Sequence, residues 1–328
     1  MDIKQKITSL YNLKTTCGSE NDAFSYIKNL VSDCCDEIFA DDIGNVYALK
    51  KGTAKGEKKT VVVSCAMDTS GFVVKYVDDK DKKILLHALG EPVSRSLVGK
   101  RATTQSGFSG TLATDVEENS EKIGKDDFYI TTDKNIKKLS EIKLGEFVSV
   151  ENPPEFTDEN KLCLGDMGEK IFAVSLIDIA KNCSNFSYDL YFVFTAQHYL
   201  SSRGEKCAAS RIRPDILISL SLCEETKNEI GTGVVVSLCD SGARCAPGLC
   251  QSLLEYAKNE GIACSKNVLS DKNKPSSIAP YAFEGTACAI IGAPVKKDEN
   301  GNKICDIRDI NGVSAAVCAY LIFSDQDN

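Results

Sequence analysis

Hydrophobic and polar positions change rhythm twice along this chain. Residues 3–16 read as a helix, and a second helix follows, with Ser19 as a good N-cap and Phe24, Ile27, Leu30, Val31 and Cys34 at helical spacing. Asn45–Leu49 and Thr60–Cys65 read as strands joined by a charged turn, Lys50–Lys59. From about residue 72 short alternating runs crowd together: Phe72–Val77, Ile84–Ala88, Arg101–Gln105, Gly110–Asp115, Phe128–Thr132 and Phe147–Val150. Turns rich in Gly, Asp and Lys separate them, the texture of a small β-barrel or sandwich, and Asn152–Asn160, with Pro153 and Pro154, reads as its exit.

After about residue 165 helices and strands alternate again. The pattern predicts a helix at Phe172–Asn182, a strand at Leu190–Thr195, a helix after Gly204, strands at Asp215–Leu222 and Gly233–Leu238, a helix at Leu249–Asn259, a strand at Ala287–Ile291 and a last helix at Val313–Phe323. This rhythm implies an α/β fold, a mostly parallel sheet flanked by helices, interrupted by a small β-barrel insertion. The expected organisation is a discontinuous α/β domain over 1–71 and 163–328, with an inserted barrel over 72–162.

The junction at Ser64-Cys65-Ala66-Met67-Asp68-Thr69-Ser70-Gly71-Phe72 bears on function. A β-branched run ending in small and polar residues delivers them to a strand end, where α/β proteins usually place chemistry. Asp68 suits metal or acid–base work there, but Ala66, Thr69 and Ser70 are poor partners for a metal.

Composition narrows the classes. The net charge of -8 and pI near 5.1 argue against nucleic acid or an anionic membrane as the main partner. The first residues lack the apolar core of a signal peptide, and no run of about 18 apolar residues stands out as a membrane span. The 15 cysteines are scattered, odd in number and free of any Cys-x-x-Cys pair, so the expectation is reduced thiols in a cytoplasmic protein, most of them filling the core. The group Cys239, Cys245 and Cys250 fits no zinc spacing. His87 reads as a surface or interdomain residue, and Asp306, Arg308 and Asp309 as a cap and ion-pair group before the last helix.

In order and spacing, the stretches VVVSCAMDTSGFVVKYVDD, SLVGKRATTQS, LGEFVSVENPPEF, YDLYFVFTAQ, SSRGEKCAASRIRPDILISLSL, IGTGVVVSLCD and DIRDINGVSAAVCAYLIF resemble the glutamyl-aminopeptidase/endoglucanase-M-like family of di-metal aminopeptidases. The resemblance spans nearly the whole chain. It implies a zinc-aminopeptidase-like fold with a lid or dimerisation barrel, two divalent metals (usually zinc or cobalt), and oligomers from dimer to dodecamer.

Residue by residue, the resemblance implies a site stripped of its donors. The family's first metal His falls on Ala66, leaving Asp68 with nothing to orient. The bridging Asp falls on Ile177 in Leu176-Ile177-Asp178. The general base and the Glu ligand beside it fall on His198 and Tyr199. The next ligand Asp falls on Ser221, and Val295–Ile304, where a last His is due, contains none. Zinc needs lone pairs at about 2.0–2.2 Å, which alanine and isoleucine cannot give. The expectation is therefore a pseudoenzyme with no cofactor, kept as an oligomeric scaffold or as partner of an active paralogue. Two alternatives stay open: a peptide or amino-acid binding protein using the old pocket, and an active hydrolase with a non-standard site, for which His198 beside Asp68 and Ser221 is the weak candidate.

Overall fold

The computed structural model describes all residues except 1, 21, 91–93, 118–122, 132–138, 225–227, 269–275, 300 and 327–328. Two helices, α1 (Ile3–Asn12) and α2 (Ala23–Val31), precede strands β1 (Glu37–Ala40), β2 (Val46–Lys50) and β3 (Thr60–Ala66). The chain then forms β4 (Gly71–Asp78), β5 (Lys83–Leu89), β6 (Arg101–Thr104), β7 (Ser109–Thr114), β8 (Phe128–Thr131) and β9 (Phe147–Val150). Short strands β10 (Glu155–Phe156) and β11 (Lys161–Cys163) lead to α3 (Phe172–Asn182) and β12 (Asp189–Thr195). The remainder is α4 (Arg203–Ile212), β13 (Ile216–Leu220), β14 (Val234–Ser237), α5 (Pro247–Asn259), β15 (Cys264–Asn267), α6 (Ala279–Phe283), β16 (Ala287–Gly292), β17 (Lys296–Lys297), β18 (Lys303–Asp306) and α7 (Ile307–Gln326).

Eight strands form the main sheet in the order β1-β2-β12-β3-β13-β16-β14-β15. Its centre, β12-β3-β13-β16, is parallel, as the nearly unbroken apolar run of β3 requires of a strand buried on both faces. The sheet as a whole is mixed: β2 pairs antiparallel with β12, and β14 with β16. Parallel register sets Thr195 level with Ala66 and Ser219 level with Ser64, so the ends of β3, β12 and β13 come out on one edge.

The six strands β4–β9 close into a barrel in the order β4-β5-β8-β7-β6-β9, with a bulge between Val74 and Tyr76. Its interior has its own core, including Phe72, Leu86, Leu112, Phe128 and Ile130, separate from the core around the main sheet. Thr132, expected to end β8, lies outside the described residues.

Two N-terminal expectations are corrected. The first helix stops at Asn12, because Thr16 bridges to Thr69 and the chain there is tied to the end of β3. Ser19 does not cap α2; it sits in the turn before it, and Asp22 holds the cap position without a side-chain bond. At the other end α7 starts at Ile307, six residues before Val313, with the Arg308 amide received by Asp306. By length and composition α7 could cross a membrane, but half of that window is buried, and the helix packs against α3 and α5 as a core element.

Candidate functional site at the end of the central strands

Beyond β12 the chain turns sharply, with left-handed backbone at Gln197, Ser201 and Ser202, none of them glycine. Such conformations persist only where the surroundings impose them. Here buried side chains do so by accepting successive amides: Asn45 takes the Ala196 N–H at 2.8 Å, Glu20 that of Gln197 at 3.0 Å, and Asp68 those of His198 and Tyr199 at 3.0 and 3.2 Å. The turn is packed tightly as well. A Cβ on Gly204 would lie 2.1 Å from the Ala196 carbonyl oxygen, so only glycine fits.

Asp68 and Glu20 share this pocket with Cys17, because the Cys17 amide donates to the Thr69 carbonyl at 3.0 Å and folds the 15–20 segment over the strand end. Their ligand-type atoms all lie within 4.8 Å of one another, and all three residues are buried. Burial pushes all three pKa values upward, and the Asp68 charge adds to the rise at the other two; Glu20 reaches about 7. One cation could be held here.

The His198 ring turns away from solvent. Its Nδ1 meets Glu205 Oε1 at 2.6 Å, and Thr195 Oγ1 donates to the same oxygen at 3.0 Å. The side chains of His198 and Glu205 are each 3% exposed, and His198 Nε2 has no hydrogen-bond partner among the described residues. Burial alone would depress this imidazole, but the Glu205 charge and hydrogen bond override it, with Asp68 and Glu169 adding to the effect, and raise its pKa to about 9. The Glu205 carboxylate thus favours the imidazolium form at the position expected to carry a general base. The Tyr199 ring packs edge-on to it at 5.5 Å.

Tyr199 also lines a cleft of about 80 Å³ between the barrel and the sheet, with Ser70, Phe72, Ser94, Asp166 and Lys303. Asp166, with burial raising it to about 6, and Lys170, with burial lowering it to about 7, belong to the 165–170 segment before α3. In the same segment Glu169 accepts the Leu222 amide at 2.7 Å.

Ala66, Asp68, His198, Tyr199 and Ser221 thus come to the same strand ends. Ile177 and Asp178 do not. They line a separate cleft between α1, α2 and α3, where Lys6 Nζ donates to both Asp178 carboxylate oxygens at 2.7 and 2.8 Å. The acidic residue beside the central cleft is Asp166, which sequence reasoning missed; its signal was the Leu-Gly-Asp run just after a strand. In the Val295–Ile304 stretch, where Asn300 is outside the described residues, Lys297 and Lys303 place their Nζ atoms 3.2 and 2.5 Å from the Glu224 carboxylate. His87 stands on the barrel surface, 2.6 Å from Asp126.

A chain with parallel β3, β12 and β13 ending on one edge, and a six-stranded barrel inserted after the first of them, has the architecture of a metallo-aminopeptidase. The M42 glutamyl aminopeptidase model matches residues 44–315, and the chain belongs to that family. A relative from Acetivibrio thermocellus is 25% identical over 321 residues, covering 94% of each chain. The lysyl aminopeptidase of Pyrococcus furiosus is 23% identical over 325 residues, covering 90% of this chain and 89% of that protein. Among solved structures, the TET1 peptidase of Pyrococcus horikoshii, which can assemble into a tetrahedron or a large octahedral shell, superposes with a TM-score of 0.84 at 17% identity, covering 98% of this chain and 99% of that one.

Membership corrects the expectation that the chain takes no cofactor. The family normally uses divalent metals, and Cys17, Glu20 and Asp68 form a group able to hold one. Of the residues expected at ligand positions, Ala66 offers no lone pair, Ser221 offers a hydroxyl and Tyr199 a phenol, while His198 Nδ1 is engaged by Glu205 and its Nε2 has no partner among the described residues.

Proposed function

We propose that this chain is a peptidase scaffold without the family's di-metal hydrolysis, kept for assembly with itself or with an active paralogue. One observation carries the reading. The residue expected at the general-base position, His198, is buried with its Nδ1 held by Glu205, and that pairing favours the imidazolium and opposes its taking a proton from water. A cation at Cys17, Glu20 and Asp68 would anchor the turn that these carboxylates already hold through its amides.

The assembly half of the proposal draws on the shells of the Pyrococcus horikoshii relative and on the closed barrel inserted after β3. The reading as a peptide or amino-acid binder is weaker. A cleft of about 80 Å³ falls well short of the roughly 300–1,000 Å³ of ordinary small-molecule sites. A hydrolase working with a single ion is the second reading, favoured by Asp166 at the cleft and by the cation group behind it.

Native mass spectrometry tests the scaffold reading, on the purified chain and on the chain co-expressed with an active family member. A defined homo-oligomer or mixed oligomer is expected. A monomer at micromolar concentration in both preparations would count against it. Turnover of aminoacyl-p-nitroanilides with added zinc, cobalt or manganese separates the scaffold from the single-ion hydrolase.

A further inference from the structure

Away from the strand-end site, two thiols meet where α3 ends. Cys183 is the C-terminal cap residue of α3 and is fully buried; Cys318 lies on α7 and is half-buried. Cys183 Sγ donates to Cys318 Sγ at 3.0 Å, so the two sulfurs are in direct contact. Lys50, the last residue of β2, donates its ammonium to the Cys183 carbonyl at 2.5 Å and so places a positive charge beside both sulfurs. The neighbouring segment is fixed to the same helix, because the Tyr188 hydroxyl donates to the Leu321 carbonyl at 2.9 Å.

We propose that Cys183 and Cys318 form a modification site: a dithiol that a hydroperoxide oxidises to a disulfide stapling α3 to α7. The direction of the Sγ–H···Sγ bond assigns the roles. Cys318 accepts it, and that bond together with the Lys50 charge favours the Cys318 thiolate against burial and the opposing charge of Asp178, so Cys318 is the nucleophile. Its thiolate attacks one peroxide oxygen, the O–O bond breaks, and Cys318 becomes a sulfenic acid while the second oxygen leaves as alkoxide or hydroxide and takes up the proton Cys318 released. The Cys183 sulfur then attacks the sulfenic sulfur, the S–O bond breaks, and water leaves with the Cys183 proton. In sum, the peroxide is reduced to an alcohol or water plus one further water, and two thiols are oxidised to one disulfide. The sulfurs have about 1 Å to close to reach bonding distance.

The test exposes the native full-length protein to hydrogen peroxide, alkylates the remaining thiols and maps the peptides by mass spectrometry. The expected product is a peptide pair joined through Cys183 and Cys318, with the loss of two hydrogens, restored by dithiothreitol, as the dominant cross-link among the 15 cysteines. In Cys183→Ser the Cys318 sulfenic acid should persist and be captured by dimedone; in Lys50→Met cross-linking should slow. The proposal is overturned if both thiols remain alkylatable after half-buried cysteines such as Cys34 and Cys207 have oxidised, or if Cys318 passes to the sulfinic acid without joining Cys183. Mapping the unmodified chain decides between these outcomes whether or not the variants fold.

Discussion

Replacing Glu205 by Gln tests the ion pair at the heart of the site. The amide keeps the size of the carboxylate and can still accept from Thr195 and His198, so the perturbation is one of charge. The imidazole of His198 is raised from its ordinary 6.5 to about 9. A group raised on folding contributes stability that is complete below its unfolded pKa and is lost as pH climbs through its folded one. The window therefore runs from about pH 6.5 to beyond about pH 9. With Glu205 supplying the larger part of the rise, its charge is worth about 2–3 kcal/mol at the acid end of that window. With about 2.1 cal/mol/K of unfolding entropy per residue, this lowers the midpoint of E205Q by about 3–4 °C. Asp68 and Glu169 also face the ring, and Glu20 and Lys170 titrate nearby, but all four are common to both proteins and drop out of the difference. The assay is guanidinium unfolding of wild type and E205Q in steps from about pH 6 to about pH 10. The stability gap should be widest near pH 6 and close toward pH 10. A gap that stays constant across the range would mean that His198 is not a charged partner of Glu205, and the general-base argument would fall with it.

Zinc at about 100 times its dissociation constant should stabilise the wild type by about 2.7 kcal/mol in a thermal-shift titration, and Glu20→Gln should lose that response; an equal response would place the ion elsewhere. Gly292→Ala would put a Cβ 1.6 Å from the Ser221 carbonyl oxygen, and a loss of about 3–5 kcal/mol is expected, read as a collapse of soluble yield or midpoint; a near-neutral result would show that the β13–β16 contact can relax. Leu112→Ala empties a fully buried position in the barrel at a cost of about 2–5 kcal/mol. If the 72–162 insertion folds as its own unit, the loss appears in a separate, earlier unfolding transition, whereas one shared shift would argue against that division.

Strands whose burial follows a simple rule were legible in the sequence. The β-branched run of β3 and the alternation of β4–β9 say directly which faces are covered, because a strand's period is short and its partners close it locally. The mixed character of the main sheet was not legible, since nothing local to Val234–Ser237 fixes the direction of its partner. Within the site, Asp68 could be read from the end of its strand, and Ala66, His198 and Tyr199 through the family resemblance. Ile177 and Asp178 were placed by the resemblance of Leu176-Ile177-Asp178 to a family motif, and α3 carries them instead to the cleft it forms with α1 and α2. Cys17, Glu20 and Glu205 gave no signal, because each acquires its role only through contacts that the fold makes: a bridge from Thr16 to Thr69, and a helix start that brings Glu205 under His198.

The most direct measurement is steady-state hydrolysis of a panel of aminoacyl-p-nitroanilides and short peptides by the purified chain, with zinc or cobalt supplied in excess and an active M42 enzyme run in parallel. A buried imidazolium in place of the base predicts no release above the buffer blank while the active enzyme turns over. Release that rises with chain concentration and disappears on chelation would contradict the account at its centre.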